Sequence, residues 1–460
     1  MLTREEAQRL AEKVIALSTY PECQVNINDS EQVYTRFANN GITTAAFGRR
    51  HTISVSVTRD NQTGSYTIAD LDEANLKALV SKAEELAAIA PPNPERLPAL
   101  GPQQYPKVFD FDERTAAARS PEMIPHVKTV VDAAVKRQLV AAGLVLRTHS
   151  VNAVANKGGL FGFHNAADSQ LTTTIRKADG SSSGWAGAPS IKLSGIDSAK
   201  LAETAIDKCL KWKNPQRIEP GNYTVVLEPT AAGDLVRLIT PGFSARGTEE
   251  GRTFVSKRGG GSYLGEKVFP EFITLRSDPF DPRQPSSPWT GELLPNRAVT
   301  WIDKGVVANL SYDRYWASKT GKEPTPGEGG GGRGGGGGGG GLGFGGGSDL
   351  ILDGGDATLD QLISSVEKGV LVTHFWYIRF VNQQTLQQTG LTRDGLFLIE
   401  NGKITTPLTN FRFIESPVRL LKNTKRLGTA QRVRGLEGGM MIAPAIVATD
   451  FPLTSVSDAI

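Results

Sequence analysis

Cysteine is almost absent from this chain: Cys23 and Cys209 are the only two among 460 residues. Two thiols build neither a disulfide framework nor a multi-cysteine zinc site. Long apolar runs are missing as well. No segment approaches the roughly 18 consecutive apolar residues that a membrane span needs. Neither charge sign dominates, because 51 Lys and Arg stand against 48 Asp and Glu for a net +3. That balance removes the bulk electrostatic case for nucleic acid or an anionic membrane surface. The opening residues, Met-Leu-Thr-Arg-Glu-Glu, are charged and helical in pattern, with no apolar signal core behind them. The expectation is a soluble, cytoplasmic protein with no membrane association and no direct nucleic-acid binding.

Histidine is scarce too, and the five present are His51, His126, His149, His164 and His374. None pairs at the i, i+3 or i+4 spacing that sets two imidazoles on one helix face for a metal. There is no G-x-S-x-G elbow and no H-E-x-x-H, and Gly321-Lys322 is followed by Glu323 rather than the Ser or Thr of a phosphate-binding loop. His149 and Ser150 are neighbours in a strand pattern, so they point to opposite faces and cannot act as base and nucleophile. His374 lies in the aromatic run Val370–Phe380 and reads as a core or edge histidine. Asp349, Asp353, Asp356 and Asp360 read as turn and cap residues, since no calcium loop with a closing Glu accompanies them. Asp278-Pro279-Phe280-Asp281-Pro282 is likewise a turn cluster, and Cys209 sits on a helix's apolar face.

What is present is ordinary globular material, 39% hydrophobic and 22% charged. At roughly 100–200 residues per domain the length predicts two domains. Thr3-x-x-Glu6 is a capping box for a first helix, Asp70 and Asp72 open a second, Ser120-Pro121 starts a third through about Gln138, and Asp197 caps a fourth. Between them Ile53, Val55 and Val57 alternate with Thr52, Ser54 and Ser56 as a half-buried strand, and the stretch 144–190 reads as strands and turns. Breakers crowd 213–221, which places a boundary between an N-terminal domain, 1–215, and a C-terminal one, 216–460. The second is mostly β: a strand over Tyr223–Leu227, an Asn401-Gly402 hairpin, and one clear helix capped by Thr358-x-x-Gln361. From Gly327 to Gly347 the chain is almost all glycine, which predicts a flexible loop. Its G-x-G-x-x-G match at Gly341, Gly343 and Gly346 has neither strand nor helix around it. The predicted class is α+β, an antiparallel sheet with flanking helices followed by a β-rich domain with few helices.

The order of these segments resembles the TldD/PmbA family, whose members are called modulators of DNA gyrase and form a zinc metallopeptidase system. The blocks that carry the resemblance are Glu367-Lys368-Gly369-Val370-Leu371-Val372-Thr373, Gly395 through Ile404, and Phe411-Arg412-Phe413-Ile414-Glu415-Ser416. In the TldD branch, a helix after the first strand of the second domain carries H-E-x-x-x-H, and a cysteine near the C-terminus is the third zinc ligand. Here the resemblance sets Pro229 and Asp234 at the histidine positions, Thr230 at the base and Arg434 at the cysteine, within a degenerate site region 223–240. Proline offers no ligand, threonine is no carboxylate base, and a guanidinium repels zinc. Asp234 and Arg434 are expected to pair where the metal would sit.

The resemblance therefore implies the metal-free PmbA/TldE-like branch. In that branch this chain carries no catalytic residue, zinc belongs to a TldD-like partner, and the substrate is an unfolded peptide. The alternatives are a homo-oligomeric binding or scaffold protein that has lost peptidase activity, paired with itself as a dimer, and an enzyme with an unrecognised site that uses His374.

Overall fold

The computed structural model describes residues 1–108, 111–325, 349–435 and 438–457. The glycine run 327–347 lies outside the described residues. The first half of the chain folds into one antiparallel sheet of six strands: β1 (Glu22–Ala38), β2 (Gly41–Arg59), β3 (Gln62–Ile68), β4 (Val140–Asn156), β5 (Phe161–Arg176) and β6 (Ser183–Ser190). Their order is β3-β2-β1-β4-β5-β6. Helices α1 (Arg4–Ala16), α2 (Glu73–Ile89), α3 (Glu113–Ala117), α4 (Ser120–Val135) and α5 (Ser198–Lys211) flank it.

Strand alternation explains why only one face needs a helical cover. Cys23, Val25 and Ile27 from β1 and Ile53, Val55 and Val57 from β2 point inward and are buried under α1 and α2. Val33 and Phe37 of β1 continue that face under α4. The even-numbered positions between them are polar and form the outer face. The helix starts follow from local hydrogen bonding. Thr3 Oγ1 accepts from the Glu6 amide while Glu6 Oε2 accepts from the Thr3 amide. Asp72 and Asp197 accept from Asn75 and Lys200. At α4 the cap is one residue earlier than expected: Arg119 takes the N-cap place, and its amide donates to Glu122 Oε2 at 3.0 Å.

The remaining chain is β-rich. It contributes β7 (Gly221–Leu227), α6 (Pro229–Val236), α7 (Ala245–Glu249), β8 (Leu275–Ser277), β9 (Val299–Asp303), β10 (Val306–Val307), α8 (Arg314–Thr320), β11 (Leu350–Leu352) and α9 (Leu359–Ser364). After these come β12 (Lys368–Asn382), β13 (Gln387–Glu400), β14 (Lys403–Leu408), β15 (Asn410–Glu415), α10 (Pro417–Lys422), β16 (Thr424–Leu427), β17 (Gln431–Gly435), β18 (Gly438–Ala443) and β19 (Ile446–Ser457). One sheet runs β10-β9-β8-β11-β18-β17. The other runs β12-β7-β19-β15-β13-β14, and β12 also pairs β13, so five of its strands close on themselves as a small barrel. Closure removes the edges of those five strands. The β13–β14 turn carries positive φ at both Asn401 (51°) and Gly402 (73°), the conformation a two-residue hairpin requires. The aspartates read as turn residues behave so: Arg276 gathers Asp278, Asp281 and Asp353 around one guanidinium.

The two halves meet along β6, which lies against β13 and β17. Lys208 of α5 donates to Glu228 Oε2 at 2.7 Å, and Ser183 Oγ donates to Asp394 Oδ1 at 2.7 Å. His374 is fully buried there, with the Trp185 ring edge-on at 4.7 Å. Its Nε2 lies 3.3 Å from Asp394 Oδ2, a distance that would suit an ion pair. Burial, with Lys208 and Arg393 beside it, pushes its pKa down to about 3, so the imidazole is neutral. His374 is thus a core histidine of the seam, sealed from solvent. Removing one partner of the Lys208–Glu228 pair strands a charge whose side chain is 10% exposed. Glu228→Ala is predicted to cost about 3 kcal/mol in urea denaturation, with most of it regained in Lys208→Met/Glu228→Leu, since a well-packed apolar pair replaces a buried ion pair at little cost.

Candidate functional site

Strand β7 delivers the chain into α6, where Pro229 occupies the first helical position with its φ already helical. This short helix is buried along its length: Thr230 through Val236 are all inside, Asp234 completely so. It packs against β12, β17 and β18. Close approach depends on two glycines. A Cβ added at Gly233 would stand 2.8 Å from Val433 Cγ2, and one at Gly435 would fall 1.5 Å from Asp234 Oδ1.

The fold therefore brings Pro229, Thr230 and Asp234 beside the strand that carries Arg434, and the residue of that strand facing Asp234 is Gly435. Alternation sends Arg434 to the other face, where its Nη1 donates to Gln170 Oε1 of β5 at 2.8 Å. The ion pair expected between Asp234 and Arg434 is not formed among the described residues; on the Gln170 face of β17, away from Asp234, Arg432 pairs with Asp168. A shift of one residue in a strand reverses its face, so Gly435 rather than Arg434 meets Asp234. Zinc does not fit these residues. Proline, threonine, one aspartate and a glycine supply no set of three ligands. Among the described residues no cluster of three or more His, Cys, Asp or Glu has the makings of a metal centre.

Arg432 and Arg434 also line the floor of a cavity of about 560 Å³, which opens between the outer face of the N-terminal sheet and the segment 285–291. Its sheet wall is a polar but uncharged row, Thr52–Asn28–Asn152–His164, assembled by register across β2, β1, β4 and β5. Asn28 Nδ2 donates to Asn152 Oδ1 at 2.8 Å. Opposite stands Trp289, tilted against Tyr105 at 5.1 Å, whose hydroxyl donates to the Leu293 carbonyl. Gly162 permits this: a Cβ there would stand 2.8 Å from the Tyr105 ring and 3.0 Å from that of Trp289.

Burial holds the His164 pKa down to about 4, so at neutral pH it is an uncharged donor and acceptor edge-on to Trp289. Burial raises the Asp168 pKa more than Arg432 lowers it, and burial lowers that of Arg434. Ser150 lines the cavity, while His149 meets Asn165 Oδ1 at 2.7 Å. Amide and hydroxyl groups next to an aromatic wall suit hydrogen bonding to a polypeptide main chain. Sequence reasoning passed over this wall because Asn26, Asn28, Thr52, Ser54, Ser150 and Asn152 look like a solvent face. The usable signal was its lack of Lys and Glu, which exposed strand faces normally carry.

Models of the PmbA/TldA metallopeptidase match this chain twice, the C-terminal domain over residues 220–455 and domain 1 over residues 23–87. The chain belongs to the TldD/PmbA family. No curated protein matches it in sequence. Among solved structures, TldE from Thermococcus kodakarensis superposes with a TM-score of 0.82 at 19% identity, over 97% of this chain and 99% of that one. A protein from Bacteroides thetaiotaomicron, described as a modulator of DNA gyrase, gives 0.80 at 19% over 99% and 100%. One of the same description from Thermotoga maritima gives 0.79 at 17% over 97% and 99%. At these identities the likeness establishes the family fold. Among the described residues no helix is long and apolar enough to cross a membrane.

The depressed His164 pKa has a stability consequence for this family member. Below its ordinary pKa of about 6.5 the unfolded chain takes up a proton that the folded chain refuses until about pH 4, so stability is lost as pH falls through that window. Urea denaturation at pH 7, 5.5 and 4.5 is predicted to show the wild type losing more stability than His164→Asn, by at most roughly 1.4 kcal/mol per pH unit. Equal losses would place His164 in a solvated setting.

Proposed function

We propose that this chain is the metal-free, TldE-like subunit of a cytoplasmic zinc metallopeptidase, paired with a zinc-bearing TldD-like subunit and acting on unfolded peptides. The observation that carries the reading is the packing of α6 on β17, where Asp234 abuts Gly435 and Pro229 and Thr230 replace ligand and base. Strand β18 (Gly438–Ala443), which also packs on that helix, carries no His, Cys, Asp or Glu and so supplies no replacement ligand. The role left to the chain is substrate holding. Its cavity presents neutral amides and hydroxyls that recognise main-chain groups whatever the side chains, which suits a peptidase acting on unfolded segments. The division at residues 215 and 216 belongs to the same proposal, with the cavity formed where the two domains face each other.

Co-purification with a TldD-like chain, followed by cleavage of an unfolded reporter peptide, tests the reading. The pair is expected to cleave at least tenfold faster than either chain alone, with activity lost to a chelator. Asn28→Ala/Asn152→Ala should lower cleavage of the pair without changing its zinc content. Chelator-insensitive cleavage by this chain alone would overturn the proposal, and a chain that binds peptide yet stimulates no zinc subunit would favour the binding-protein reading.

A further inference from the structure

The sheet wall of the cavity is uncharged over most of its length and charged at one end. Asn152 and His164 are register partners on β4 and β5, Ser150 and Ala166 follow them on the same face, and Thr148 and Asp168 come next. The chain leaves β6 beside Asp168: Ser169 pairs with Ser190, so Ile191 and Lys192 continue past that end of the wall. Arg432 reaches the same end from β17, where its Nη2 donates to Asp168 Oδ2. One row further, Arg434 meets Gln170. Lys192 and the two arginines thus line one end of the cavity, with Asp112 and Asp168 as the carboxylates among the described residues there.

Those carboxylates do not use up the donors. Asp112 caps α3, and its Oδ2 accepts from the amide and the hydroxyl of Thr115 at 2.8 and 2.6 Å. Asp168 takes one nitrogen of Arg432. The other two, Nε and Nη1, are buried without an acceptor, on a side chain that is only 9% exposed. A buried guanidinium normally has its donors occupied, because it has given up water that only another acceptor can replace. Bridging β17 to β5 needs one of these nitrogens and leaves two idle beside an open cavity.

We propose that this end of the cavity binds the C-terminal carboxylate of an unfolded peptide, with Arg432 as its anchor and Lys192 as a second cation, an assignment that rests on the peptide-holding role proposed above. A carboxylate supplies what Arg432 lacks, an anionic acceptor with several lone pairs that makes charge-assisted bonds to a guanidinium. The wall beside it selects the terminal carboxylate over an acidic side chain. Ser150, Asn28 and Asn152 offer hydrogen bonds to main-chain groups and do not read side chains. An acidic side chain arrives only where the substrate's sequence places it, whereas every peptide brings a carboxylate at the end of its main chain. The chain then has one direction in the cavity: its C-terminus lies at β17, and the preceding residues run past Ser150 and Asn152 toward His164 and Trp289.

Fluorescence anisotropy on the full chain tests this with a short, N-terminally labelled, unfolded peptide of neutral residues in three forms. These are the free acid, the C-terminal amide, and an amide with one internal Asp that matches the charge of the acid. The acid is expected to bind about tenfold more tightly than either amide. Arg432→Gln/Asp168→Asn removes both charges of the buried pair together and keeps hydrogen-bonding groups in place. It should bring the acid to the level of the amide, with the thermal midpoint reporting an intact fold, and Lys192→Gln should reduce the preference in part. Equal binding of acid and amide in the wild type would overturn the proposal and leave the peptide-holding role standing. An Asp-bearing amide as tight as the acid would overturn the terminal assignment, and a preference that survives the double variant would overturn the role of Arg432. Failure of all three peptides to bind would overturn the peptide-holding role and the proposal with it.

Discussion

The close packing of α6 against β17 is the constraint on which the C-terminal half depends. A helix of eight residues is too short to be stable by itself, so its stability has to come from what surrounds it. The barrel strand β12 lies on one side and β17 and β18 on another, and the approach is close enough that Gly233 and Gly435 have no room for a side chain. The same closeness decides the chemistry. With Asp234 set against the Gly435 backbone, the place that would need three converging ligands holds a packed protein interior. Core packing at this density does not tolerate the gain or loss of a few atoms without strain.

From that helix the consequences run outward to the N-terminal sheet. Glu228, at the α6 cap, takes Lys208 from α5, and on the far face of β17 Arg432 and Arg434 reach Asp168 and Gln170 of β5. The ends of these contacts bracket the cavity. The seam thus fixes the distance between the polar sheet wall and the Trp289 wall opposite, while the floor belongs to the strand that packs on α6. Stability and the shape of the cavity depend on the same few buried polar contacts, which is costly for such groups unless every one finds a partner.

Much of the fold was legible where structure is local. The capping residues Thr3, Asp72, Asp197 and Thr358, the Asn401-Gly402 turn, and the inward alternation of Ile53, Val55 and Val57 all depend on neighbours within a few positions. Closure of the barrel was not legible, because β7 pairs with β12 and β19, which follow it by more than a hundred residues, and no local pattern reports such partners. The site was half legible. The residues that the family resemblance singles out on α6 could be read directly, but which β17 side chain faces them depends on strand phase, and Arg434 and Gly435 differ by one position. The cavity wall was hidden because a row of Asn, Ser and Thr looks the same whether water or a second domain lies above it.

Elemental analysis of the chain purified alone under non-chelating conditions measures directly whether a zinc site exists beside α6. The expected result is zinc well below one equivalent per chain, unchanged in Asp234→Asn. Close to one equivalent, lost in Asp234→Asn, would contradict it and make this chain a metal-bearing member of its family.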